Sequence, residues 1–391
     1  MFPSRLVSVL GGGAGLPNNY SLEFDNTNDY INVGDLDLGT DDFTIGLWAK
    51  STEWSSRYLM YKKEGSGGSG KYWYLGSTGA DAMIFASSME GTTTITYEGA
   101  SSELTPYENQ WVHLVLVADR DANTKGYING VLQQTDTGSN FGDTLDNTGD
   151  LGIAWKGTAG GGVTGKLDEV AIWNKVLSAG DISALYQAKG TSDLNDDGNS
   201  ANLQGWWRMG DGTLDDFNLI ADQVNPTLGT DLIGDGGFES GTDSWNYVGT
   251  TISQSTDYVK SGTYSLKVVQ SGGSSDRAYK TFTTVIGKTY KFSFDTYKPS
   301  SGQDVAYIMR VATGSDHGTP VSETISTLDA WVNTTGYVTA TQTTFYIVAI
   351  PHDDSAGDDT VYIDNVSVKL VNGNPGLMTN MASDDIVKDT P

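Results

Sequence analysis

The chain contains no cysteine. Disulfides, thiolate metal centres and cysteine nucleophiles are therefore excluded. Histidine is nearly absent: His113, His317 and His352 stand in unrelated contexts, and no H-E-x-x-H, G-x-S-x-G or P-loop pattern occurs. Proline is scarce, with 9 in 391 residues, and cations are outnumbered, with 23 Lys and Arg against 49 Asp and Glu. The resulting formal charge of −26 repels phosphates, so nucleic acid and anionic membrane are poor partners. No apolar run approaches the roughly 20 residues of a membrane span. The opening MFPSRLVSVLGGGAGLPN carries one Arg and a brief apolar patch, without the solid apolar stretch or A-x-A site of a secretory signal. Residues 1–18 are expected to form a flexible or docking arm.

What is present is β-forming. Tyr (20), Phe (11) and Trp (10) are plentiful, and 49 Gly punctuate short β-branched and aromatic runs. Such a pattern predicts an all-β chain of stacked antiparallel sheets. Phe43, Ile45 and Leu47 alternate in DFTIGLWAK. QWVHLVLVADR is apolar on both faces, which predicts a strand covered on both sides. KGYINGVLQQ turns on Asn129-Gly130, a strong hairpin signal. One short helix is expected near 178–188, with Ser178 as N-cap, Asp181 in the capping-box position and Ile182, Leu185 and Tyr186 on one face. The expected organisation is a first sandwich over 19–231, including a bridging strand at 203–209, a second over 232–371, and a polar tail at 372–391.

The ordered set SLEFDNTNDYINV, FTIGLWAK, WVHLVLVAD, YINGVLQ and GKLDEVAIWNKVLSAGDISALY resembles laminin-G-like, concanavalin-A-type jelly rolls. That resemblance implies ligand binding, mostly of glycans, more than bond-breaking chemistry. LQGWWRMGDG resembles a strand that follows such jelly rolls, with Trp206 or Trp207 packed inward. GGFESG…W, SGTYSLKV and YIDNVSV resemble the carbohydrate-binding modules attached to xylanases and glucanases. The whole combination, with its MFPSRL…LGGG start and NPGLMTNM…DIV end, resembles structural proteins of tailed phages of marine bacteria.

Candidate chemistry follows from acids and aromatics. Asp193, Asn195 and Asp197, then Gly198, fit the opening of a calcium loop, but Gln204 stands where a bidentate Glu belongs. A solvated turn explains the same residues. In the modules that the second sandwich resembles, the acid after GGF and the Asp of the closing strand meet at a structural calcium. That resemblance puts Glu239 and Asp364 at such a site. Asp168 is the analogous position in the first sandwich. Family-16 glycoside hydrolases carry E-x-D-x-x-E on one strand, with the acids on one face. Glu23-x-Asp25-x-x-Asn28 lacks the third acid, so no catalytic residue is assigned. GSGGSG (65–70) and GTAGGG (157–162) lack the Lys and helix that phosphate binding needs and read as loops. Glycan contact needs exposed aromatic faces flanked by hydrogen bonders. Trp245, Tyr247, Arg277 and Tyr279 qualify in the second sandwich, and Trp54, Tyr72, Trp73 and Trp155 in the first. For each, core filling is the alternative. The expected function is a non-catalytic virion-surface protein, a capsid decoration or tail component, that holds polysaccharide weakly through many copies. Its partners would be other virion proteins, copies of itself and cell-surface glycan. A secreted polysaccharide-binding protein or adhesin is the alternative.

Overall fold

Residues 15–65, 70–89, 92–136, 144–154, 161–242, 244–272, 276–300, 307–315, 321–351 and 359–391 are described by a computed structural model. The chain divides into two compact units. Unit 1 is Met1–Thr227 with Asn372–Pro391, and unit 2 is Leu228–Val371. Unit 2 is thus inserted in the sequence of unit 1.

In unit 1 the alternating runs build two antiparallel sheets. The first has the order Val131–Asp136, Thr124–Ile128, Val112–Ala118, Phe43–Ser51, Thr164–Trp173, Ser21–Asp25 and Ile386–Val387. Leu203–Trp207 also pairs with Thr164–Trp173, from Leu203 beside Trp173 to Trp207 beside Val170. The bridging strand therefore extends this sheet. The second sheet runs Leu219–Ile220, Gly376–Thr379, Tyr30–Gly34, Leu151–Ile153, Tyr58–Lys63, Tyr72–Ser77, Met83–Met89 and Thr92–Glu98. Between the sheets lies a core that includes Leu22, Phe24, Ile45, Leu47, Trp73, Phe85, Leu114, Leu116 and Trp207.

The strand Val112–Ala118 is buried at every residue, as its two apolar faces predict. Val115 and Val117 look away from that core and meet Trp173, Trp206, Leu177 and Ile182 in a second cluster. The helix Ala179–Ala188 belongs to this outer layer. Ser178 Oγ accepts from Asp181 N–H, and Asp181 returns a bond to Ser178 N–H, closing the capping box. Lys189 ends the helix in the left-handed conformation, at φ 48°.

Unit 2 is a second antiparallel sandwich. One sheet has the order Thr250–Ser255, Ser265–Gln270, Thr360–Val371, Thr289–Tyr297 and Trp331–Thr339, and Leu228–Asp231 also pairs with Thr360–Val371. The other runs Asn246–Val248, Arg277–Thr283, Thr344–Ile350, Tyr307–Ala312 and Val321–Ile325. Phe238, Trp245, Phe292, Phe294, Met309, Phe345 and Ile363 fill the space between them.

The end of the chain differs from expectation. Residues 372–391 are not a tail: Gly376–Thr379 pairs with Tyr30–Gly34 in the second sheet of unit 1, and Ile386–Val387 pairs with Ser21–Asp25 in the first. Strands this short show no periodicity, so only their partners define them.

Candidate functional site

The strand KYWYLGS alternates tyrosine, tryptophan, tyrosine. Trp73 and Leu75 enter the core, so Tyr72 and Tyr74 face outwards. Tyr58 and Tyr61 join them from the neighbouring strand. A bulge between Tyr58 and Met60 keeps both on the outer face. Ring centroids lie 4.7 Å apart for Tyr58 and Tyr74, 5.5 Å for Tyr58 and Tyr61, and 6.3 Å for the stacked Tyr72 and Tyr74. Each ring has a small residue as a cross-strand partner: Gly76 beside Tyr58, Gly152 beside Tyr61, Ser88 beside Tyr72 and Ala86 beside Tyr74. Tyr58, Tyr72 and Tyr74 stay half-buried, while Tyr61, also paired with Tyr74, is buried at 8% exposed. Burial, reinforced by the neighbouring tyrosines, pushes the Tyr58 and Tyr61 hydroxyls up and Tyr74 up to about 12. Neutral phenols then both donate and accept hydrogen bonds over an aromatic surface. Lys63, paired with Tyr72, supplies a cation at the edge.

Of the aromatics expected to meet glycan, three are core residues. Trp54 (1% exposed), Trp73 (0%) and Trp245 (4%) point inwards, because a large apolar ring contributes more in the core than on a rim. Tyr247 is exposed on an edge strand, paired with Ala278, so it lies on the opposite face from Tyr279. Arg277 and Tyr279 share the outer face of their sheet. Tyr72 is in the tyrosine group, and Trp155 lies outside the described residues. Tyr58, Tyr61 and Tyr74 were missed; the i, i+2 tyrosines around an inward tryptophan were the available signal.

The expected metal residues occupy three places. Glu239 Oε1 accepts from Thr263 N–H at 2.9 Å and Tyr264 N–H at 3.0 Å. Asp364 Oδ2 accepts from Lys260 N–H at 2.9 Å and Ser261 N–H at 3.0 Å. The two acids, distant in sequence, converge on loop 260–264. Tyr258, just before it, stacks on Tyr297 at 4.2 Å and meets Tyr362 edge-on. Asp193 Oδ1 and Asp197 Oδ1 accept from Asn195 and Asn199 N–H, and Asn195 Nδ2 donates to the Gln223 carbonyl, so these residues fasten a turn. Among the described residues no three His, Asp or Glu side chains form a group that could hold a metal ion.

Asp168 belongs to a buried polar network that the sequence did not reveal. Its Oδ2 accepts from Asn18 Nδ2 at 3.0 Å. Beside it, Glu169 occupies a bulge at φ 49°, which turns its side chain out of strand alternation. Glu169 Oε1 accepts from Arg208 Nε at 2.8 Å and Oε2 from Trp206 Nε1 at 2.7 Å. Arg208 Nη2 donates to the Pro17 carbonyl at 2.8 Å. Asp211 Oδ2 accepts from Asn19 and Tyr20 N–H. Burial, then the Glu169 charge, pushes Asp168 well above the usual carboxylate range; burial pushes Glu169 up to about 7 against the pull of Arg208. The network ties residues 17–20 to the first sheet. In the E-x-D-x-x-E-like segment, Glu23 is exposed and pairs with Lys166 by register, and Asp25 accepts from Thr27 N–H at 2.7 Å.

Residues 25–183 match the family Laminin_G_3, described as the concanavalin A-like lectin/glucanases superfamily. Unit 1 carries a concanavalin A-like jelly roll. Solved structures similar to the chain include the CBM22-1 xylan-binding domain of Paenibacillus barcinonensis Xyn10C (15% identity, 37% of this chain and 97% of that one, TM-score 0.30). The Ruminococcus gnavus IT-sialidase CBM40 follows at 17% identity, over 44% and 100% of the two chains, TM-score 0.34. A heptameric SAP-like pentraxin of Limulus polyphemus matches at 13%, over 43% and 82%, TM-score 0.34. At such identities and TM-scores these likenesses carry no functional weight. No curated protein matches the chain in sequence. On the concanavalin A-like jelly roll, the tyrosine face stands on the outer surface of the second sheet. No helix among the described residues is long and apolar enough to cross a membrane.

Proposed function

We propose that the protein is a non-catalytic glycan-binding protein and that Tyr58, Tyr61, Tyr72 and Tyr74 form its platform in unit 1. The observation that carries this reading is four clustered tyrosines on one sheet face, with Tyr58, Tyr72 and Tyr74 half-buried beside small residues and Tyr61 buried among them. Sugar C–H faces stack on such rings while the phenols bond to hydroxyls. The lectin/glucanase superfamily to which residues 25–183 match supports the same reading.

The proposal includes a place and a cation. The place is a virion surface, a reading that rests on the resemblance of the MFPSRL…LGGG start and the NPGLMTNM…DIV end to phage structural proteins. An intact amino terminus by mass spectrometry supports it; processing near residues 14–20 favours an exported adhesin instead. The cation is calcium at Glu239 and Asp364, hard oxygen donors whose carboxylates keep lone pairs beyond those their N–H donors occupy.

Tyr74→Ala tests the platform on a glycan array and by calorimetry with the best array ligand. Binding is expected to fall about tenfold or more, as for a central aromatic contact. Unchanged binding, or reducing-sugar release that Glu23→Gln abolishes, overturns the reading.

A further inference from the structure

A second face, in unit 2, has a different chemistry. The sheet that starts at Asn246–Val248 carries one outward row across all five strands: Asn246, Tyr279, Val348, Arg310 and Ser322. At the usual strand spacing this row spans roughly 19 Å. Val348 is only 1% exposed although it points away from the core, and it packs with Ala312 and Ile350 beneath Tyr279, Tyr346 and Ile308. The Tyr279 and Tyr346 rings stand 6.0 Å apart, tilted at 52°. The result is an apolar floor with aromatic sides, centred on Thr344–Ile350, the middle strand of this sheet.

Arg310 distinguishes this face from the tyrosine platform. Its Nε is buried without a hydrogen-bond partner, and among the described residues no carboxylate forms an ion pair with it. Elsewhere Arg57 pairs with Glu53 and Arg208 with Glu169. In a chain of net charge −26, an arginine with no ion pair among the described residues stands out. Arg277, two positions before Tyr279, lies on the same face. With Nε buried, the guanidinium still has its two Nη groups as a parallel pair of donors that matches a carboxylate. The wider negative charge is screened beyond about 8 Å at physiological salt, so the local arginine decides.

We infer that this face binds a carboxylated polysaccharide, with Arg310 holding a uronate carboxylate and Tyr279 and Tyr346 packing against the sugar rings. A row that crosses all five strands and is polar at both edges suits an extended chain over a terminal sugar. This site is separate from the unit 1 platform and does not depend on it.

The test uses the full chain and oligomers of galacturonate, glucuronate and alginate, each beside its methyl ester. Calorimetry is expected to show at least one acid form binding better than its ester, and binding that weakens with salt. Arg310→Gln should weaken that acid form about tenfold to a hundredfold, as loss of a charge-assisted pair does, and leave the ester unaffected. Arg310→Lys should restore it only partly, because the parallel donors are gone. Tyr74→Ala should leave it intact, which separates failure here from failure of the unit 1 platform. Thermal melts confirm that each variant folds. If no acid form outbinds its ester, or a folded Arg310→Gln binds as well as the parent, the inference is wrong.

Discussion

Asp389→Asn tests whether the last residues clamp unit 1. Asp389 Oδ2 accepts from Lys50 Nζ at 2.9 Å and Lys166 Nζ at 2.6 Å, and Oδ1 accepts from Trp111 Nε1 at 3.0 Å. Lys50 is on Phe43–Ser51 and Lys166 on Thr164–Trp173, so one carboxylate bridges neighbouring strands of the first sheet. Ser21 Oγ donates to the Asp389 carbonyl at 2.6 Å and joins the clamp to the first strand. Burial alone would raise this carboxyl; the bonds from Lys166, Lys50 and Trp111 outweigh it and hold it well below the usual range. A buried hydrogen bond to a charged group contributes about 1.5–3 kcal/mol, and an exposed ion pair about 0–1 kcal/mol. Asp389 is 30% exposed. After discounting for solvent, the asparagine variant should lose about 2 kcal/mol at pH 7.

Urea melts at several pH values measure this. The midpoint of unit 1 should fall with an unchanged slope, and that of unit 2 should stay put. The folded value lies below the unfolded one, so the stabilisation is complete above the unfolded aspartate value of about 3.9. It is lost as pH falls through the depressed value. The gap between parent and variant should hold from pH 5 to 7 and shrink below about pH 4. A variant as stable as the parent at pH 7, or a gap undiminished in acid, refutes the clamp.

Glu169→Gln leaves Arg208 buried beside an uncharged partner, and should destabilise unit 1 by about 3–5 kcal/mol in the same melts. Replacing Glu169 and Arg208 together by apolar residues should recover much of that loss; if the double variant is the worse one, the pair is not the source. Calcium should raise the melting temperature of unit 2, EDTA should reverse the rise, and Asp364→Asn should abolish it. Equal melts with calcium and with EDTA would remove the cation from the proposal. The Tyr74 and Arg310 variants complete the set.

Much of the frame was legible before any coordinates. Alternation located the strand around Phe43, and two apolar faces marked the strand around Val115 as buried on both sides. Asn129-Gly130 marked its hairpin, and Ser178 and Asp181 marked the helix start. Each signal is local: a backbone period, a turn that needs φ above zero, or a side chain that bonds three residues away.

The site was less legible, for a physical reason. Alternation gives a strand two faces but does not say which is inside when both are aromatic. In KYWYLGS the core took Trp73 and left Tyr72 and Tyr74 outside, and only the packing of Trp73 against Phe85 decides that. Tyr58 and Tyr61 joined the platform through a bulge, which no period records. Glu169 met Arg208 through another bulge, 39 residues away in sequence. The final strands and the Asp389 clamp exist only because unit 2 returns the chain beside Thr227, where Asn372 N–H donates to the Thr227 carbonyl. The sequence by itself determined which segments became strands, through forces that act between near neighbours. Tertiary structure decided which side chains face water together, because that depends on partners the chain meets only after folding.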